Sequence, residues 1–198
     1  MKRSVDIAII GQGLAGTTLA WTLLDQGARI AVIDQRLIGA ASTVAGGLIT
    51  PLTGKKIKPE PYFDELWEAA QAHYQRVSHW LDTDVLNTRA ALRRLDTTQL
   101  KEAWNTADET QKRYAELASA PPEAVSGESS FIAMPTAARL DIERFLSSSR
   151  QAFIERDILI EHTVDDACMN ADHCGASIDT PSLNADRVVF CRGWRDSL

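Results

Sequence analysis

The period of the apolar positions changes several times along the chain, and each change marks an element. Residues Val5 to Ile10 (Val-Asp-Ile-Ala-Ile-Ile) form a short β-branched run of the kind that fills a parallel strand buried on both faces. From Leu14 the period lengthens. Leu14, Thr18, Trp21 and Leu24 recur at helical spacing, and Gly27 sits where a helix C-cap belongs. Arg29 to Ile33 reads again as a strand, ending in Asp34. The spacing then predicts an amphipathic helix from Pro61 to about Leu81, with Phe63, Leu66, Trp67, Ala70, His73, Tyr74, Val77 and Trp80 favouring one face. A second long helix is expected from about Thr98 to Leu117. Pro121-Pro122 and Ser126 to Ser130 mark a loop, and Phe131 to Met134 a short strand before Pro135. Leu140 to Phe153 has helical spacing, and Asp157–His162 and Arg187–Cys191 read as strands with a hairpin between them. No internal repeat or low-complexity tract interrupts this order.

Composition narrows the class. With 198 residues, 44% hydrophobic and 24% charged, the chain makes one domain or one and a half, which excludes wholesale disorder and fibrous repeats. Its net charge of −6 argues against nucleic acid as the main partner. Three cysteines do not make a disulfide framework, so a reducing compartment is expected. Lys2 and Arg3 ahead of an apolar stretch superficially resemble a secretory leader. Asp6, Gly11, Gln12 and Gly13 break that stretch, and no small-x-small cleavage site follows. No run reaches the ~18 apolar residues of a membrane span. The expectation is a soluble, cytoplasmic protein without a membrane span.

The densest information lies at the first turn. Gly11-Gln12-Gly13-Leu14-Ala15-Gly16 follows a strand, opens a helix, and is answered by an acid at the end of the next strand. Gly11 allows a tight turn, Gly13 lets backbone approach a pyrophosphate, and Gly16 permits close helix–strand packing. The helix N-terminus offers unpaired N–H groups and a partial positive charge to phosphates. Asp34 can accept hydrogen bonds from ribose hydroxyls, and its charge disfavours a 2′-phosphate. FAD and NAD both present an ADP moiety, so this fingerprint leaves the choice between them open. The following segment, Gly39 to Gly54, is rich in small residues: Gly46 and Gly47 allow close backbone approach, Ser42 and Thr43 can donate to phosphate, and Pro51 stops any helix.

The fingerprint joined to Ala41-Ser-Thr-Val-Ala-Gly-Gly-Leu-Ile-Thr-Pro51 resembles the D-amino acid oxidase/glycine oxidase superfamily of FAD-dependent oxidoreductases. It is also similar to the flavin domain of the bifunctional tRNA-modifying enzyme that oxidises a carboxymethylaminomethyl group. The resemblance implies FAD as cofactor, with Ser42 and Thr43 along its pyrophosphate and Ala45, Gly46, Gly47 and Leu48 near the flavin ring. It implies that the Val164 backbone contacts adenine. Val188-Val-Phe-Cys191-Arg-Gly193-Trp194 resembles the late strand that passes close to FAD, with Gly193 admitting the dinucleotide. Gly11, Gly13, Leu14, Ala15, Gly16, Asp34, Gln35 and Cys191 complete the candidate cofactor set.

The fold class expected is α/β: a three-layer, Rossmann-like FAD-binding parallel sheet with a partial, largely helical substrate-domain insertion. Residues 1–52 and 135–198 would form a discontinuous FAD-binding domain, and 53–134 the mainly helical part of an incomplete substrate domain. The implied reaction is hydride transfer to flavin from the C–N carbon of a small amine or amino acid. Superfamily members are considerably longer, and the implied substrate clamp lies beyond this chain, so no catalytic residue is named. Two other readings stay open: a non-catalytic truncated nucleotide-binding fragment and an NAD-dependent oxidoreductase. No metal site is expected, because Cys168, Asp172, His173 and Cys174 do not match a zinc spacing. His73 and His79 face different ways on a helix. Lys55, Lys56 and Lys58 read as a solvated basic turn.

Overall fold

A computed structural model describes residues 3–36, 41–118, 130–164, 169–172, 175–178 and 182–193. Pro121-Pro122, Ser126–Ser129, Cys168, His173, Cys174 and Trp194 lie outside the described residues, as does the Asp172 side chain. In chain order the first elements are β1 (Arg3–Ile10), α1 (Leu14–Asp25), β2 (Ile30–Asp34) and α2 (Ala41–Val44). Next come β3 (Leu48–Ile49), β4 (Leu52–Thr53), β5 (Lys58–Pro59), α3 (Phe63–Leu81), β6 (Leu86–Thr88) and β7 (Ala91–Leu95). They are followed by α4 (Thr98–Asn105), α5 (Glu109–Lys112), β8 (Glu116–Leu117), β9 (Ser130–Met134) and β10 (Ala138–Leu140). The last are α6 (Ile142–Glu155), β11 (Leu159–Glu161), β12 (Met169–Asp172), β13 (Gly175–Ile178) and β14 (Leu183–Phe190). These elements form two compact units.

The first unit comprises Met1–Ala45, His79–Thr83 and Ile142–Leu198. Its six-stranded sheet runs β11-β2-β1-β14-β13-β12. The first four strands are mutually parallel, in the expected Rossmann-like arrangement, and β12 and β13 add an antiparallel hairpin. Ile30, Ala31, Val32 and Ile33 are all buried, which is why this stretch reads as a continuous apolar run rather than an alternating one. On α1, Trp21 is fully buried, 5.0 Å from the Phe153 ring of α6 and 5.3 Å from the Trp80 ring. Its indole N–H donates to the buried Ser149 hydroxyl at 2.8 Å, so the one polar atom of that ring is satisfied.

The second unit comprises Gly46–Ser78 and Asp84–Asp141. Alongside α3, α4 and α5 it carries three small antiparallel sheets, β3-β10-β6, β4-β5 and β7-β9-β8. Several of these strands are two or three residues long, too short for apolar alternation to show in sequence. The helix expected over 98–117 is broken in two. Thr97 caps α4 by accepting from the Leu100 N–H, and Asp108 restarts the chain with a capping box to Gln111. The Gln111 side chain then donates to the Ile57 carbonyl at 2.9 Å. Leu66, expected on the apolar face of α3, is exposed. The core here gathers Leu52, Ile57, Leu95, Trp104, Ile132 and Met134.

Candidate functional site

The parallel strands of the first unit end side by side. Gly11 N–H donates to the Ile33 carbonyl at 2.7 Å, Cys191 N–H to Ile10 at 2.7 Å, and His162 N–H to Asp34 at 3.2 Å. Beyond these carboxyl ends, where open α/β sheets place their ligands, lies a pocket of about 340 Å³. Gly11, Gly13, Asp34, Gln35, Ser42, Thr43, Val164, Cys191 and Gly193 of the expected set line it. Leu14, Ala15 and Gly16 form the first turn of α1. Ala45 ends the first unit's opening segment, while Gly46, Gly47 and Leu48 belong to the second unit.

Two glycines of the fingerprint are required by their surroundings. Gly11 has φ +107°, and a Cβ there would stand 2.5 Å from the Cys191 carbonyl oxygen. A Cβ on Gly16 would stand 1.9 Å from the Gly11 carbonyl oxygen. At Gly13 a side chain would grow towards Ser42 Oγ, 3.2 Å from its Cβ position, filling the cradle between the helix start and α2. Gly13 itself provides no side-chain cap for α1. Ser42 does so from a distance, its Oγ accepting from Leu14 N–H at 3.1 Å. Its own hydroxyl proton is left to donate elsewhere.

Asp34 is held from three directions. Its Oδ1 accepts from Gln12 N–H (3.0 Å), and its Oδ2 from Arg36 N–H (2.8 Å) and Arg150 Nη1 (3.1 Å). Arg36, which also lines the pocket, takes φ 53°, a strained conformation. Arg150, on α6, also donates to Gln12 Oε1 (2.8 Å) and Glu161 Oε1 (2.5 Å). The guanidinium beside Glu161 holds that carboxyl below the usual glutamate range. Burial pushes the Cys191 thiol up, so it is a neutral, weakly nucleophilic group at neutral pH.

Several lining residues escaped sequence reasoning: Gln12, Arg36, Glu143, Leu146, Ser147, Arg150 and His162. Gln12 was visible only as the variable position of the glycine motif. Arg150 and its neighbours lie more than a hundred residues away, on a helix whose period reports only its buried face. The one available signal was an arginine placed next to Ser149 on that apolar side.

A family profile described as FAD dependent oxidoreductase matches residues 6–198. The chain belongs to that family. FAD is the family's cofactor, and the α/β, Rossmann-like architecture agrees with it. An uncharacterized oxidoreductase, YurR, of Bacillus subtilis (strain 168) is 30% identical over 76 residues, covering 38% of this chain and 20% of that protein. Glycine oxidase from Geobacillus kaustophilus superposes with a TM-score of 0.72 at 16% identity, over 96% of this chain and 56% of that one. L-Amino acid deaminase from Proteus vulgaris gives 0.72 at 14% identity, over 98% and 48%. At these identities the likeness establishes the fold. The chain spans about half the length of these solved structures. Among the described residues, no helix is long and apolar enough to cross a membrane.

Proposed function

We propose that the first unit binds FAD and that the protein serves oxidation of the C–N bond of a small amine or amino acid. The observation that carries this reading is the meeting of the glycine fingerprint, Asp34, Ser42, Thr43, Val164, Cys191 and Gly193 around one pocket at the strand ends. The glycines of the turn and the N–H groups of α1 after Leu14 suit a pyrophosphate, with the Ser42 and Thr43 hydroxyls also lining the pocket. Asp34 takes the adenosine ribose, Gln35 stands beside it, and the Val164 backbone contacts adenine. Leu14, Ala15 and Gly16 contribute through the helix start. Ala45, Gly46, Gly47 and Leu48 follow Ser42 and Thr43 in the chain, and the superfamily resemblance alone assigns them to the flavin end. We assign residues 1–52 and 135–198 to the cofactor domain and 53–134 to a substrate domain.

When bound, FAD supplies the two-electron acceptor for the oxidation. The chain's own residues bind and orient it: the turn and Ser42 hold the phosphates, Asp34 holds the ribose, and the thiol of Cys191 remains protonated. The amine or amino-acid substrate class rests on the superfamily resemblance, and the glycine oxidase and L-amino acid deaminase among the structural neighbours support it.

The test is the visible absorption spectrum of the purified chain before and after denaturation. A flavin spectrum with free FAD on release is the expected result. A colourless protein that takes up no added FAD overturns the proposal, and NAD binding by that protein would favour a nicotinamide enzyme instead.

A further inference from the structure

Arg150 does more in this pocket than neutralise a carboxylate. It is only 15% exposed, and one of its nitrogens serves both Gln12 Oε1 and Asp34 Oδ2 while the other serves Glu161. Gln12 is fixed at its other end as well, its Nε2 donating to the Leu146 carbonyl (3.0 Å) and Thr17 Oγ1 (3.4 Å). The glycine turn, the end of β2 and α6 are thereby tied through one guanidinium. A carboxylate offers about four acceptor positions, two on each oxygen. Among the described residues Oδ2 receives two N–H donors, from Arg36 and Arg150, and Oδ1 receives one, from Gln12. One acceptor position is left, on Oδ1.

We propose that Arg150 is a positioning residue that restricts Asp34 to a single ribose hydroxyl of the bound adenine dinucleotide. The inference rests on the reading of this pocket as the FAD site. With Oδ2 saturated, Asp34 cannot clasp the 2′- and 3′-hydroxyls with its two oxygens. Without Arg150, Oδ2 regains an acceptor position, and the Gln12 side chain loses the donor on its oxygen.

The experiment frees the purified chain of bound FAD and titrates it with ADP, 2′-deoxy-ADP and 3′-deoxy-ADP by calorimetry. For the wild type, one deoxy analogue should bind about tenfold weaker than ADP, as loss of a hydrogen bond to a charged group predicts, and the other within about twofold. In R150M the two deoxy analogues should converge to within about twofold of each other, whereas E161Q keeps the wild-type asymmetry. A purely structural role for Arg150 would weaken all three nucleotides in proportion and leave their ratios unchanged, which would overturn the proposal. So would a wild-type chain that binds ADP yet discriminates against neither or both analogues, a result that needs no folded variant. If the wild type takes neither ADP nor FAD, the FAD-site reading falls, and this inference falls with it.

Discussion

Replacing Gly16 by Ala tests whether the backbone of the first turn sets cofactor affinity. The added Cβ would stand 1.9 Å from the Gly11 carbonyl oxygen and 3.3 Å from Cys191 Cβ. Its closest neighbour is backbone, and Gly11 is pinned by its own N–H bond to Ile33 at 2.7 Å. Ordinary contact begins near 3.4 Å, so α1 and the turn must separate by about 1.5 Å. Crowding of this kind costs about 1–3 kcal/mol of stability. The larger effect falls on binding, because the N–H groups at the start of α1 move by about half a hydrogen-bond length. If two such bonds to phosphate are lost at about 1.5–3 kcal/mol each, FAD affinity drops by a hundredfold or more. Gly27→Ala is the control. Its φ is +76° with nothing within 4 Å of the added Cβ, so it should cost about 1–2 kcal/mol in stability through left-handed strain alone. Its FAD affinity should be unchanged. Urea unfolding and flavin-fluorescence titration read the two effects separately. A Gly16→Ala chain within about 0.5 kcal/mol of wild-type stability, with FAD affinity within about threefold, would refute the argument.

Trp21→Phe removes the donor to Ser149 Oγ, which is fully buried, and should cost about 2–4 kcal/mol in urea unfolding. Adding Ser149→Ala should recover about 1 kcal/mol of that, and strict additivity of the two changes would show that the bond carries no coupling. Glu161 is held below its ordinary value by Arg150, so the stability this pair lends is fully present above the usual glutamate range and is lost as pH falls through the lowered value. The difference in melting temperature between wild type and Glu161→Gln should therefore be present at about pH 7 and shrink as pH falls below the usual glutamate range; a difference that grows on acidification would reverse the assigned sign. Cys191, its thiol pushed up by burial, should alkylate more slowly than an unstructured cysteine and more slowly still with FAD bound. Peptide mapping after timed iodoacetamide exposure measures this, and fast modification would contradict the environment described for it.

Local pattern carried the first unit far. The β-branched run at Val5–Ile10, the glycine motif and the acid closing the second strand specify a βαβ unit through short-range geometry, and β1, α1 and β2 follow that reading within two residues. The second unit was less legible. Thr97 and Asp108 place helix caps inside what hydrophobic period alone reads as one helix. The strands of β3, β4, β5 and β8 are two residues long and exist only because a partner strand lies alongside.

The amino-acid sequence by itself determined the fold class and the glycine turn that opens α1, because those depend on conformational limits and side-chain volume at neighbouring residues. Only the tertiary structure decided which side chains surround Asp34. Gln12 and Arg150 are 138 positions apart, and no period or spacing relates them. Their hydrogen bond is created by packing α6 beside the carboxyl ends of β1 and β2, where burial of Phe145 and Phe153 sets the helix against the sheet and leaves Arg150 at the edge of the pocket.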